Sequence, residues 1–215
     1  MSFIEYLRVN WSTVSFLTAQ HVEVVLLAVG IATVVALLFV VATERSARVR
    51  RWGLSLTGTI LTIPSFALFG LMIPLFGLGV APTVLALTAY AIFPILRNAV
   101  TGLDNVDSAV VDAARGVGMS AGQRLVKVRL PLAWPVILNG IRVSSIMVVA
   151  IAAIGAAVQG PGLGQLIFGG LARMGGANAL NEALAGVVGV VAVAFVLDAV
   201  FLLIGRFTTS RGLHA

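Results

Sequence analysis

Residues able to do chemistry concentrate in one stretch, Asp104 to Pro135, DNVDSAVVDAARGVGMSAGQRLVKVRLPLAWP. It holds three of the eight acidic residues, Asp104, Asp107 and Asp112, and four of the fourteen basic ones, Arg115, Arg124, Lys127 and Arg129. The chain has no Walker A pattern, no metal-ligand cluster and no nucleophile–base motif. These charges therefore read as helix caps and a partner-facing surface, and the chain is expected to hold no cofactor and to catalyse nothing by itself. Asp104 and Asp107 are N-cap candidates, because a short acceptor satisfies the orphan N–H groups of a first turn. Val106, Val110, Ala113 and Val117 then fall on one helical stripe. Gly118 ends that helix, and Ser120 with Gln123 makes a capping-box pattern for a second. Leu125 and Val128 give the second helix its apolar side, with Pro131 and Pro135 stopping it. The small Ala113 and Ala114 are expected on an exposed shoulder. Two readings remain open at this point, a protein-docking element and an amphipathic hairpin on a lipid surface.

What must position this stretch is a membrane body. Of the 215 residues, 60% are hydrophobic and 10% charged, with mean hydropathy +1.08, against about 25% charged in a soluble domain. The runs are apolar on every face, which favours helices over barrel strands and allows roughly five spans. The absence of cysteine excludes disulfides and thiolate metal sites. The net charge of +6 is assigned to the asymmetry of membrane loops rather than to nucleic acid. The first twenty residues lack a basic n-region and an apolar h-region, so no cleaved signal peptide is expected.

The spans follow from the charge gaps. Residues 1 to 20 read as an interfacial lead-in, with Phe3, Ile4, Leu7 and Trp11 at near-helical spacing. Residues 24–42 form the first span. The uncharged run from Trp52 to Leu96 is about twice one bilayer crossing. It divides at the turn 76–82 into spans 54–76 and 82–101, with Pro64, Pro74 and Pro94 as kinks. Residues 135–158 and 182–205 complete the five. Between the last two, the glycine-rich 159–181 is expected to be a loop carrying a short helix, LGQLIFGGL. The chain reads as a single domain over 1–215, with the charged loop at 104–131. Twelve of the fourteen Lys and Arg residues fall on one side of this arrangement. That side, with the charged loop and the C-terminus, is expected in the cytoplasm and the N-terminus outside.

Two charges sit inside spans. Asp198 lies seven residues before Gly205, about 10 Å from a helix end, and Arg142 lies at a similar depth past Pro135. An intramembrane charge is a functional hint by default. A structural ion pair is the simplest account of these two, with a transport role, or Arg142 facing lipid phosphates, as alternatives. His21 and Glu23 are expected to be solvated at the outer end of the first span. Asn139, Ser144, Ser145 and Gln159 either face a polar pathway or bond backbone carbonyls. A quaternary-ammonium site would need an aromatic cage, whereas Tyr6, Trp11, Trp52, Tyr90 and Trp134 are scattered.

The charged loop carries a resemblance. Asp112-Ala113-Ala114, three residues, Gly118, nine residues, Val128, one residue and Leu130-Pro131 resemble the consensus of ABC-importer permeases. The one departure is Asp112 where that consensus has Glu, which keeps the carboxylate. IPSFALFGLMIPLFGLGVAPTVLALTAYAIFPILRNAVTGLDNVD and GPGLGQLIFGGL resemble permease subunits of osmoprotectant importers, which carry glycine betaine, choline, carnitine or proline betaine. The likeness covers roughly residues 50 to 213. It implies a methionine-importer-like core of five helices in the bacterial cytoplasmic membrane. The implied partners are a second permease subunit, identical or paralogous, two cytoplasmic ATPases that hold ATP and magnesium, and an extracytoplasmic binding protein. Asp112, Ala113, Ala114, Gly118, Leu130 and Pro131 would then belong to the ATPase-coupling loop. The alternatives are the same machine carrying another small solute, such as an amino acid, or a self-sufficient secondary transporter. The latter would show inverted repeats and more mid-membrane charges.

Overall fold

The computed structural model describes residues 1–44 and 46–208. Arg45, and the tail from residue 209 with its Arg211, lie outside the described residues. A short helix α1 (Phe3–Val9) opens the chain, its first turn closed by a capping box between Ser2 and Glu5. After Asn10 comes α2 (Trp11–Ala42), 32 residues long and so about 48 Å, well beyond a hydrocarbon core of roughly 30 Å. The first span thus grows straight out of the lead-in, and its charge-free part is only its inner portion.

The segment 54–76, expected as one kinked span, is two helices. Helices α3 (Ala47–Thr62) and α4 (Ser65–Phe76) meet at a bend of 100°. Ile63 adopts an extended backbone before Pro64, as the proline ring requires of its predecessor, and Pro64 is the N-cap of α4. Tyr90 donates its hydroxyl to the Ile63 carbonyl at 2.5 Å, satisfying one group freed by the break. Gly77 and Gly79, both at positive φ, carry the chain into α5 (Val80–Asp104).

The stretch after α5 also departs from expectation. Helices α6 (Ser108–Gly116) and α7 (Ala121–Arg124) are followed by a π turn (Leu125–Arg129) that runs directly into α8 (Leu130–Ala152). Pro131 and Pro135 therefore do not stop a helix. Pro131 sits at the start of α8, and the wider π turn makes room for a ring that would clash in a regular helix. A 3₁₀ segment (Ala153–Val158) leads through Gln159 to α9 (Gly164–Ala172), the short helix expected in the glycine-rich loop, and then to α10 (Ala179–Thr208).

Among the described residues, four helices are long and apolar enough to cross a membrane, and the bent α3–α4 pair would be a fifth span. Helix α5 is the hub, packed against α2, α3, α4 and α8. Its crossing with α8 is close because Gly140 faces it: a Cβ there would lie 2.5 Å from Asn98 Cβ and 3.0 Å from the Pro94 carbonyl. In a lipid environment helices have little hydrophobic reason to associate, so such small-residue contacts carry much of the packing.

Candidate functional site

The charged stretch 104–131 is a helix–glycine–helix element built by its caps. Asp107 is the N-cap of α6, its carboxylate accepting from Ala109 N–H at 2.8 Å. Asp104 is not a cap. It ends α5 and accepts from Arg50 Nη1 at 3.0 Å. At the other end of α6, Gly118 stands at φ 86°. Its N–H donates to the Arg115 carbonyl at 3.0 Å, and that of Met119 to the Ala114 carbonyl at 3.1 Å. This double closure needs a left-handed residue, which glycine adopts without steric cost. The capping box of α7 forms through both of its bonds, Ser120 with Gln123. Arg124 then donates to the Met119 carbonyl at 2.6 Å, tying the turn to the second helix.

The apolar stripe of α6 points away from the chain. Val110 is 43% and Val117 77% exposed, and Ala113 and Asp112 are exposed with them. Val106 alone of the four packs against the core. Ala114, expected on the exposed shoulder, is buried instead. Leu130 and Pro131 lie at the base, Leu130 packed at the margin of the core and Pro131 exposed. The six residues thus divide into an outward face, Asp112 and Ala113, and hinge or base positions, Ala114, Gly118, Leu130 and Pro131. Two ion pairs brace that base, Arg50–Asp104 and Arg129–Glu44. Neither pair is legible from local sequence, since the partners are 54 and 85 residues apart.

Between α8 and α10 the partly exposed Arg142 and Asp198 form a bidentate pair, Nε to Oδ1 at 2.6 Å and Nη2 to Oδ2 at 2.9 Å. Helix α10 is described as far as Thr208, about 15 Å beyond Asp198 by the helix rise. The planar fork of guanidinium on carboxylate is the strongest geometry such a pair can take. Arg142, Asn139, Phe201 and Arg206 line an open groove of about 350 Å³ beside it. Ser144 donates to the Ala91 carbonyl at 2.9 Å and Ser145 to the Ile141 carbonyl at 2.8 Å, so both are spent on backbone.

His21 is a correction. It is fully buried, not solvated at a helix end. Its Nε2 lies 3.1 Å from the Val149 carbonyl, and a Cβ on Gly162 would come within 2.8 Å of its Nδ1. Helix α2 extends so far that residue 21 faces α8 and the glycine-rich loop at Gly162. On the outer surface, Arg173 and Glu182 pair, and Asn181 donates to the Met1 carbonyl at 2.9 Å. Burial pushes the nearby Tyr6 phenol above its ordinary pKa, with the Glu182 carboxylate adding and Arg173 opposing. Among the described residues, no group of three or more His, Cys, Asp or Glu side chains could hold a metal ion.

Known proteins share both the sequence and the shape. The osmoprotectant import permease protein OsmW of Salmonella typhimurium is 38% identical over 203 residues, covering 92% of this chain and 93% of its own. The glycine betaine/carnitine/choline transport system permease protein OpuCB of Bacillus subtilis is 32% identical, covering 97% and 94%. A chain of the inward-facing MetNI methionine ABC transporter superposes with a TM-score of 0.80 at 21% identity, over 98% of this chain and 100% of that one. That last likeness concerns the fold. Residues 28–210 match the family described as binding-protein-dependent transport system inner membrane component. That match spans most of the chain, and this chain belongs to that family.

Proposed function

We infer that this permease carries osmoprotectants of the quaternary-ammonium type, glycine betaine, choline, carnitine or proline betaine. It would do so as one of two permease subunits, identical or paralogous, served by two cytoplasmic ATPases and an extracytoplasmic binding protein. Its role is translocation. ATP and magnesium belong to the ATPases, and the chain itself is non-catalytic. The substrate class rests on the names of the relatives matched over nearly the whole chain. The scattered aromatics leave substrate selection to the binding protein. A self-sufficient secondary transporter does not fit a member of a binding-protein-dependent family.

The observation that carries the coupling role is the outward stripe of α6, Val110, Ala113 and Val117, on a fully capped helix. Exposed apolar residues on a rigid element suit a protein groove. Asp112, Ala113, Ala114 and Gly118 would centre the contact, with Leu130 and Pro131 joining it to α8. ATP would close the ATPase dimer, the docked elements would move with it, and the paired permeases would open outward as rigid bodies. The bent pair α3–α4 is a candidate wall of that pathway, because backbone freed at a helix break is tolerated only in protein or beside water.

The test is uptake in cells that lack their own osmoprotectant importers and express the chain with its encoded neighbours. Radiolabelled betaine, choline or carnitine should accumulate with ATP dependence, and an ATPase should co-purify. Uptake of methionine or another amino acid in their place would reassign the substrate, and absence of the ATPase would end the coupling assignment.

A further inference from the structure

At the base of the coupling element four helix ends meet, and one side chain joins three of them. The Arg129 guanidinium donates from Nη1 to Glu44 Oε1 at 2.7 Å and from Nη2 to the Leu103 carbonyl at 3.0 Å. Glu44 follows the last turn of α2, Leu103 lies in the last turn of α5, and Arg129 closes the π turn. The Leu103 carbonyl is among the last four of its helix, which find no N–H within it, and a cation there complements the helix dipole. The two side chains are 20% and 22% exposed, which limits screening by salt. In the neighbouring pair Arg50–Asp104 the carboxylate is 51% exposed, so that pair is a weaker tie.

The element has few other holds on the membrane body. Helix α6 packs mainly against α7 and the π turn. Apolar anchorage comes from Leu125, buried in the core, and from Val106 and Leu130 at its margin. Apolar contacts can slide, whereas a forked, charge-assisted hydrogen bond holds a direction. The π turn is itself an irregular join in the hydrogen-bond ladder. A push on α6 or α7 could bend the chain there without moving the helices beyond. A side chain on the turn that grips the ends of both α2 and α5 removes that freedom.

We propose that Arg129 is the latch that makes the ends of α2 and α5 follow the coupling element. It is a positioning residue and touches no substrate. The proposal rests on the docking role inferred above for residues 104–131. The test uses the whole complex, permease with its ATPase and binding protein, in proteoliposomes. Arg129→Gln should still assemble, but ATP hydrolysed per solute imported should rise roughly two- to thirtyfold, the span of a typical coupling term. Glu44→Gln keeps the bond to Leu103 and should raise the ratio less. Arg129→Lys keeps the charge and should stay nearer the parent. Exchanging the charges, Glu44→Arg with Arg129→Glu, should recover part of the loss, since the pair returns without the donor to Leu103. An assembled Arg129→Gln complex with an unchanged ratio overturns the latch, as does an equal fall of hydrolysis and uptake in both single variants. Should Arg129→Gln fail to accumulate, Glu44→Gln decides on the same criterion. A parent chain that retains no ATPase overturns the docking role, and the latch with it. An assembled complex with an unchanged ratio overturns only the latch.

Discussion

Arg142 and Asp198 neutralise each other where neither could stand alone, and their forked contact leaves little of either charge for other partners. A structural pair makes a sharp prediction, because breaking it differs from deleting it. Asp198→Asn strands a guanidinium among apolar helices and should lower the melting temperature of the purified complex by several degrees. Arg142→Met combined with Asp198→Leu removes both charges and keeps the volume, so stability should return and uptake should stay within about twofold of the parent. A stable double variant without uptake would instead make the pair part of the pathway. Simple arithmetic on helix rise brought these two residues to similar depths from sequence alone. The same arithmetic missed His21, since it assumed that the first helix begins where the charges stop. A helix has no duty to end at the membrane surface, and α2 starts at Trp11.

Elements were legible wherever local chemistry decides them. The caps of α6 and α7, the glycine stop at 118 and the short helix within the glycine-rich loop all follow from residues within one turn of their effect. The break at Pro64 and the π turn at Leu125–Arg129 follow instead from what packs around them. A proline in a long apolar run can kink, end or merely bend a helix, and only neighbours such as Tyr90 select one outcome. The two kinds of glycine should part experimentally. Gly118 holds a left-handed cap in open space, with nothing within 4 Å of an added Cβ. Gly118→Ala should cost the element about 1 kcal/mol and reduce ATPase co-purification several-fold, with the melting temperature of the permease nearly unchanged. Gly140→Val drives a side chain into Asn98 and the Pro94 carbonyl, and should lower that melting temperature well before it alters docking. Matching effects of the two substitutions on both readouts would mean that the coupling element is not separable from the bundle.

At the scale of the whole molecule, the contacts sort the ends of the helices into two groups. Arg50–Asp104, Arg129–Glu44 and the Trp134–Thr208 hydrogen bond gather one set of ends of α2, α3, α5, α8 and α10 around the α6–α7 element. Arg173–Glu182 and Asn181–Met1 join the opposite end. The excess of Lys and Arg belongs to the first group, and loops rich in these residues stay in the cytoplasm. The docking proposed for α6 predicts the same side, so the charge count and the proposal predict one orientation. The chain contains no cysteine, which makes it a clean background for single-cysteine labelling. Val117→Cys, on the 77% exposed stripe position, should react with a membrane-impermeant maleimide only after the cells are opened. Ala177→Cys, in the exposed turn before α10, should react in intact spheroplasts. The reverse pattern would put the coupling element outside, where no ATP-driven partner could reach it, and the importer assignment would fall with the orientation.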